Sequence, residues 1–332
     1  MPELVNRTSA RDLLAITTLT GEEIRDIEPI LYDANFIPAW ILRWVAGDEA
    51  ESNVIKSRTR GSLALPTIVK GSLMSYVQLI ALQFKVIGAL LMREIHTRYG
   101  RENIGHLWVI GEPMLFCTGV AIMWTAIRPS HEHGVPVTAF VITGYVPLTM
   151  WRHCVSRSVR AFEANGSLLF HRQVTPLDII VSRCTLEIIG ALIAGVVVSA
   201  IAMLLGYMDP PVDVGLVYLG LGYHAVFCLA CSLILAPLSE ISGVLDKFVG
   251  AFTYLMIPFS GAFVMVDWVP PAFQSILLWS PPVHTAEIIR KGQFGSTVHA
   301  HYNLVYLSYV CAAMILIGLS MVLRSRKHIL VQ

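Results

Sequence analysis

The sequence predicts an all-α integral membrane protein with six membrane-spanning helices. Of its 332 residues, 55% are hydrophobic and 14% are charged, whereas an average soluble domain has about 45–50% and about 25%. Several long segments contain no Asp, Glu, Lys or Arg, and a helix needs about 20 mainly apolar residues to cross a bilayer. The Lys and Arg residues are also distributed unevenly between the connecting segments, which predicts the orientation of the chain.

Six segments have the length and composition of a membrane span. Five of them lack all four charged residue types, and the first contains only Glu112. The stretch 268–286 is also uncharged, but it contains four prolines, which interrupt a continuous helix. We therefore interpret it as a re-entrant periplasmic helical hairpin before the last span. The predicted spans are approximately 109–127, 134–151, 188–208, 214–239, 248–266 and 302–323.

The basic residues predict that both termini lie in the cytoplasm. With six spans and an inner N-terminus, the inner segments after residue 84 contain thirteen Lys and Arg residues, and the outer segments contain three. One additional span would place Arg324, Arg326 and Lys327 outside, against the positive-inside rule. The first 30 residues contain no apolar stretch of signal-peptide length, so we expect no cleaved leader there.

The chain divides into a cytoplasmic N-terminal extension, residues 1–75, and a transmembrane domain, residues 76–332. Near the start of the second part, apolar side chains recur at helical spacing opposite a charged face that carries Lys85 and Glu94. This pattern predicts an N-terminal amphipathic interface helix on the inner leaflet. The apolar positions are Phe84, Ile87, Leu91 and Ile95.

The sequence contains no site that would power transport. No Gly-Lys step of a phosphate-binding loop is present, so any ATP and Mg must be bound by a separate partner ATPase. Glu112 is the only formal charge in the predicted spans, which disfavours a proton or sodium relay. The pairs His131-x-His133 and His299-x-His301 lack a neighbouring acidic or cysteine cluster, so we predict no metal site and no cofactor. A net charge of +1 indicates no nucleic-acid partner.

The chain contains three separated motif blocks. The first block is Arg93-Glu-Ile-His-Thr-Arg-Tyr-Gly100 with Gly105-His-Leu-Trp108 and Glu112-Pro113. The second is Glu163-Ala-Asn165 with Arg172, Pro176, Asp178, Arg183 and Glu187. The third is Leu278-Trp-Ser-Pro281 with His284 and Glu287. Together these blocks resemble those of KpsM-type capsular polysaccharide export permeases, in the ABC-2 transporter membrane-subunit family, and the resemblance covers about residues 83–328.

The resemblance implies a transporter rather than an enzyme. It implies a homodimer in a Gram-negative inner membrane that binds two ATP-binding-cassette ATPase subunits, a closed twofold arrangement. The implied cargo is phospholipid-linked polysaccharide, which is passed to a periplasmic adaptor of the polysaccharide co-polymerase type and an outer-membrane export pore.

Two groups of candidate functional residues face the cytoplasm. Arginines at the membrane surface can fork onto the phosphate of a lipid-linked glycan; alternatively, they only anchor a helix to anionic headgroups. This group is Arg93, Arg98, Tyr99, Arg101 and Trp108. In the second inner loop, the resemblance implies a short helix that couples to the ATPase, whereas the plainer alternative is a solvated loop. This group is Glu163, Asn165, Arg172 and Asp178.

Two further groups are candidates for the translocation path. At about 100° per residue, four phenylalanines fall within about 60° of one another and would form one aromatic stripe that lines a channel or, alternatively, packs against helices or lipid. They are Phe248, Phe252, Phe259 and Phe263. The resemblance places the hairpin at the periplasmic exit, although an interfacial aromatic belt explains its tryptophans equally well. The exit candidates are Trp268, Trp279, His284 and Glu287.

Other functions remain open at this point. A sister permease would export O-antigen or teichoic acid. An integral membrane glycosyl- or acyltransferase would use Glu112 or His224, but no pair of acids or metal-ligand cluster supports catalysis. A scaffold that recruits envelope proteins is the third alternative.

Overall fold

The structure is a computed structural model that describes residues 76–99, 105–169, 174–241 and 245–329. The predicted extension, residues 1–75, lies outside these ranges. Within them the chain is almost entirely helical. Its α-helices, in chain order, are α1 (Tyr76–Tyr99), α2 (Gly105–Ile127), α3 (Val137–Ser158), α4 (Gly166–Leu169), α5 (Pro176–Leu204), α6 (Val214–Ile241), α7 (Leu245–Leu255), α8 (Pro271–Leu277), α9 (Pro281–Phe294) and α10 (Leu304–Ile329).

A small β-hairpin joins α2 to α3. Strands β1 (His131–Glu132) and β2 (Val135–Pro136) are antiparallel, with Glu132 opposite Val135. The two residues between them, His133 and Gly134, both have positive φ angles, 53° and 81°. This combination is typical of the tight turn whose twist matches that of paired strands.

Four helices in the described part of the chain are long and apolar enough to cross a membrane. They correspond to the predicted spans 109–127, 188–208, 214–239 and 302–323. The helical segments are Trp108–Ile127 in α2, Pro176–Leu204 (α5), Val214–Ile241 (α6) and Leu304–Ser325 in α10.

Helix α3, which corresponds to the predicted span 134–151, is the centre of the bundle. Every residue from 139 to 151 is buried, because α2, α5 and α6 pack around it. The helix begins after the β-hairpin and continues to Ser158. Arg152 and His153 lower the mean hydropathy of α3. The helix is therefore less apolar than the four helices described above.

The helix predicted over 248–266 is shorter in the structure. Helix α7 ends at Leu255, and the chain continues through two 3-10 helices, Pro258–Ser260 and Val266–Trp268. Pro258 cannot donate a helical hydrogen bond, and Gly261 takes a left-handed conformation with φ of 70°. The segment 256–270 contains no α-helix. We call it the non-helical segment, and it replaces the second half of the predicted span.

The stretch 268–286 forms two helices, α8 and the first part of α9, as the prolines predict. Each helix begins with proline at its first position, where the missing N–H costs no hydrogen bond. Helix α9 packs most closely on α6: a Cβ at Gly220 would lie 2.6 Å from Ile289 Cγ1, and one at Gly292 would lie 2.7 Å from the Val217 nitrogen. Small residues thus let the two backbones approach closely.

Helix α9 also holds the non-helical segment through Arg290. The guanidinium is fully buried, and its Nη1 donates to the carbonyl oxygens of Gly261 at 2.6 Å and Val264 at 3.1 Å, while Nη2 donates to Ala262. Its central carbon lies 3.8 Å from the centroid of the Phe140 ring on α3. One side chain therefore links α9, α3 and the segment between α7 and α8.

The contact between α3 and this segment depends on Gly144. A Cβ there would overlap the carbonyl oxygen of Ala262 and would lie 2.7 Å from Arg290 Nη2. We expect Gly144→Ala to lower the free energy of unfolding by about 1–3 kcal/mol, because the added methyl displaces packed backbone. Thermal unfolding of the purified protein in detergent measures this effect.

Gly119 provides the matched control, since a Cβ at this position in α2 meets nothing within 4 Å. We expect Gly119→Ala to leave the melting temperature unchanged or slightly higher, because alanine is the better helix former. Equal melting temperatures for the two variants would contradict the close approach at Gly144.

Candidate functional site

One end of the described helices carries several arginines that the packing brings together. The C-terminal half of α1, the end of α3, the start of α5 and the end of α6 meet there. We call this region the basic end, and the end that contains the β-hairpin the opposite end. The arginines of the basic end are Arg93, Arg157, Arg160 and Arg183.

The segment Glu163-Ala-Asn165 forms a 3-10 helix at the basic end. It is held by the last turn of α6: Glu240 Oε1 accepts hydrogen bonds from the backbone N–H groups of Phe162 and Glu163, each at 3.2 Å. Ser239 Oγ accepts another from the N–H of Arg160 at 3.0 Å. A carboxylate at the start of a helical turn satisfies donors that have no partner within that turn.

The two candidate coupling residues in this segment have different environments. The Glu163 side chain is 65% exposed and lies 3.6 Å from Arg160 Nε. Asn165 is buried, and its Oδ1 accepts a hydrogen bond from Arg93 Nη1 at 2.9 Å. Its Nδ2 donates to the Ala161 carbonyl at 2.9 Å. Glu163 therefore faces outward, whereas Asn165 joins the segment to α1.

A second set of contacts binds α1 to α5. Arg183 Nε lies 3.1 Å from Glu94 Oε1, and Arg183 Nη1 donates to the Arg157 carbonyl at 3.1 Å. Glu187, one turn further along α5, lies 3.5 Å from Arg157 Nε and 3.6 Å from His153 Nδ1. Because the Glu94 and Glu187 carboxylates are largely buried, loss of one partner would leave an uncompensated charge.

Asp178, a further coupling candidate, stabilises the start of a helix. It is buried and forms a capping box with Thr175 at the start of α5, an arrangement favoured by a Ser or Thr that is followed three residues later by an acidic side chain. Its Oδ1 also accepts a hydrogen bond from Gln83 Nε2 on α1. We call the contacts of α1 with Asn165, Asp178 and Arg183 the α1 latch.

The remaining lipid-phosphate candidates are only partly located. Trp108 is exposed at the start of α2. Arg101 lies outside the described residues, as do the side chains of Arg98 and Tyr99. The coupling candidate Arg172 also lies outside them. Phosphate recognition by this group therefore remains a prediction.

The aromatic stripe predicted along 248–266 is not continuous, because α7 ends at Leu255. Phe248 and Phe252 are exposed on α7. Phe263 instead turns into the bundle, where its ring lies 5.3 Å from that of Trp124. Phe252 and Phe259 line a cavity of about 390 Å³ together with Trp151 and His224, so two of the four rings still share one space.

At the opposite end, three of the four exit candidates are engaged in packing. Trp268 stacks on His133 and Phe140, with ring centroids 4.4 and 4.7 Å apart. Glu287 is buried, and its two carboxylate oxygens accept the N–H groups of Val266 and His301, each at 3.0 Å.

His284 makes two hydrogen bonds through its ring nitrogens. Its Nε2 donates to the Leu278 carbonyl at 2.9 Å, and its Nδ1 accepts the N–H of Asn303 at 3.1 Å. Burial lowers the pKa of this imidazole, and the hydrogen bond to Leu278 opposes the shift. By contrast, Trp279 is 79% exposed, so it is the exit candidate that a passing molecule can reach.

Within the described ranges, no group of three or more His, Cys, Asp or Glu side chains is suited to hold a metal ion. His301 Nε2 lies 3.4 Å from Asp267 Oδ1 as an isolated pair.

Two residues that support the candidate site, at the end of α6, were not among the residues that the sequence predicted. Glu240 and Ser239 close the predicted fourth span, and nothing in their spacing indicates that they hold a loop 77 to 79 residues away. The sequence does indicate that Arg183 and Glu187 share one helix face, because they lie one helical turn apart just before an uncharged span. The motif blocks contained both residues, but no role was assigned to them.

Comparison with known proteins places the chain in a family. The sequence model of the ABC-2 type transporter family matches residues 85–294. Capsule polysaccharide export inner-membrane protein BexB of Haemophilus influenzae is 40% identical over 78% of this chain and 98% of its own length. Capsule polysaccharide export inner-membrane protein CtrC of Neisseria meningitidis serogroup B is 39% identical over 77% of this chain and 96% of its own length.

A more distant relative agrees with this placement. Polysialic acid transport protein KpsM of Escherichia coli is 27% identical over 71% of this chain and 91% of its own length. The family match, the near-complete coverage of these relatives and the membrane-spanning helices all describe a transport subunit rather than an enzyme. The chain belongs to the ABC-2 type transporter family of membrane proteins.

Proposed function

We propose that this chain is the membrane subunit of an ATP-binding-cassette exporter that moves lipid-linked capsular polysaccharide across the bacterial inner membrane. The observation that carries the proposal is the identity of 39–40% with two capsule export inner-membrane proteins, across almost their whole length. A separate ATPase subunit supplies the energy, since the sequence has no phosphate-binding loop.

Six crossings are the arrangement that the helices support best. Besides the four most apolar helices, α3 is long enough, at about 1.5 Å per residue, to cross a hydrocarbon core of about 30 Å. The segment 245–268 runs from α7, next to the basic end, to Trp268, which stacks on the β-hairpin of the opposite end. This segment is the fifth crossing, and its second half is non-helical.

The hairpin of α8 and α9 is re-entrant in this arrangement. Ser280, at the start of α9, donates a hydrogen bond to the Phe259 carbonyl at 2.6 Å, halfway along the fifth crossing. Gly292, near the end of α9, lies against Val217 at the start of α6. The chain thus enters the bundle and returns to the same face. Both termini then lie on the cytoplasmic side with the basic end.

Two copies of the chain enclose the path, and two ATPase subunits dock at the basic end. Exposed Glu163 is the contact to the ATPase, and Asn165 transmits its motion through Arg93 to α1. The partners at the opposite end are a periplasmic adaptor and an outer-membrane export pore in a Gram-negative envelope.

Deletion of the gene in its host tests the proposed function. We expect capsular polysaccharide to disappear from the cell surface and lipid-ended polymer to accumulate inside, and a plasmid copy to restore export. Surface staining and analysis of the reducing end measure both effects. Unchanged surface polysaccharide would refute capsule export, and loss of O-antigen or teichoic acid alone would assign the chain to a sister permease.

Cysteine crosslinking tests the position of the ATPase. We expect Glu163→Cys to form a crosslink with a cysteine in the ATPase, because this side chain points away from the bundle. Asp209→Cys is the control, since Asp209 is exposed in the loop at the opposite end. A Glu163→Cys protein that forms no adduct in any nucleotide state would contradict docking at this segment.

A double-mutant cycle tests the contact between Arg93 and Asn165. If Arg93 acts through Asn165, then Arg93→Ala, Asn165→Ala and the double variant should reduce ATP-driven export to similar extents, with an interaction energy of about 0.5–3 kcal/mol. If Arg93 instead binds the lipid phosphate independently, the two effects add. Export rates in vesicles that contain the ATPase distinguish the two outcomes.

A further inference from the structure

A concave site opens at the opposite end, between the α8–α9 hairpin and the segment that leads into α10. Its volume is about 750 Å³, and nine residues line it. Among these nine, only Leu278 and Ala300 have side chains without a polar atom. None of the nine is Lys, Arg, Asp or Glu. The lining is therefore a mainly apolar surface with several hydrogen-bonding groups, and it carries no formal charge while its histidines are neutral.

The wall of this site is rigid. The Tyr306 hydroxyl on α10 donates to the Trp279 carbonyl at 2.7 Å. His284 connects the Leu278 carbonyl to the N–H of Asn303, and its ring lies 5.1 Å from that of Tyr306. These contacts join the hairpin turn to the start of α10, so the cavity is formed before any ligand binds. A preformed site spares the entropy of ordering its walls on binding.

Several groups that line the site are available to contact a ligand. The Trp279 ring is 79% exposed. Its indole N–H, the Tyr302 hydroxyl and the Asn303 Nδ2 donate no hydrogen bond to the residues that the structure describes. Asn303 Oδ1 is used, since it accepts the N–H of Tyr306 at 3.0 Å. One open aromatic face and three free donors thus surround the same space.

The site adjoins the interior cavity of the bundle. Trp279 and Tyr306 line both the 750 Å³ site and the 390 Å³ cavity that contains His224, Phe252 and Phe259. These two side chains therefore stand between the interior of the bundle and its opposite face. A molecule that leaves the deeper cavity in this direction meets Trp279 first.

The chemistry of the lining selects among ligand classes. An acyl chain would leave the free donors without partners, which is costly once they are removed from water. A phosphate would find no Lys or Arg in the lining. A sugar ring matches both features, because its polarised C–H face packs on an aromatic π-face and its hydroxyls accept from indole, amide and phenol donors.

The geometry points to a carbohydrate-binding subsite for one pyranose ring of the exported polysaccharide, with Trp279 as the stacking platform and Tyr302 and Asn303 as hydroxyl ligands. This inference rests on the proposed function, since it takes the polysaccharide as cargo. The subsite holds the leaving polymer at the opposite face through its neutral ring surface rather than through charge.

Binding of oligosaccharides to the assembled transporter tests the subsite. The probe is a set of oligosaccharides prepared by partial hydrolysis of the host's own surface polysaccharide, and titration calorimetry measures affinity for the complex with its ATPase in lipid nanodiscs. We expect Trp279→Ala to weaken binding about tenfold. Trp279→Phe, which keeps a ring and loses the N–H, and Tyr302→Phe should each show a smaller loss.

Phe273→Ala is the matched control, because Phe273 is an exposed aromatic residue of the same hairpin that does not line the site. We expect it to bind like the wild type. Any of three results would overturn the subsite. The first is equal affinity of Trp279→Ala and wild type, and the second is a loss of affinity in Phe273→Ala equal to that in Trp279→Ala. The third is no binding by the wild type at millimolar oligosaccharide. The deletion strain tests the export function independently, since loss of its surface polysaccharide would support export even if the oligosaccharide did not bind. The two experiments therefore distinguish failure of the subsite from failure of the export function.

Discussion

The architecture depends on how the non-helical segment between α7 and α8 satisfies its backbone. In an apolar environment an unpaired carbonyl or N–H costs several kcal/mol, so irregular backbone at membrane depth persists only where protein supplies partners. Arg290 donates hydrogen bonds to the carbonyls of Gly261, Ala262 and Val264. Glu287 accepts a hydrogen bond from the N–H of Val266. Ser280 closes the segment by its hydrogen bond to Phe259. Helix α9 is therefore the structural partner that allows α7 to end early.

This constraint also explains the close packing around α9. The guanidinium is buried against Phe140, and the backbone of the segment presses on Gly144 of α3. On its other side α9 approaches α6 at Gly220 and Gly292. The hairpin is thus bound to the bundle on two sides. The cavities on either side of Trp279 are formed by the same arrangement, because this residue lies in the turn between α8 and α9.

At the basic end, charged side chains make contacts between helices. Charged side chains there are largely engaged with one another, as Glu94 with Arg183 and Arg157 with Glu187. Removing one partner of a largely buried pair is much more costly than removing an exposed charge. The α1 latch therefore joins α1 to α5 and to the Glu163-Ala-Asn165 segment. Glu163 is the exposed group of that segment, and Asn165 joins the segment to α1 through its hydrogen bond with Arg93.

The sequence alone determined the membrane class, the positions of the long apolar helices and the capping box at Thr175 and Asp178, because length, apolar composition and local spacing control these features directly. The family resemblance is confirmed by the match to the ABC-2 type transporter family. Only the tertiary structure decided where α7 ends, how the phenylalanines divide between cavity and core, and which side chains meet across the chain. The partners of Asn165, Glu240 and Arg290 are distant in sequence. Such contacts depend on packing between helices, and the one-dimensional periodicity of a single helix carries no information about them.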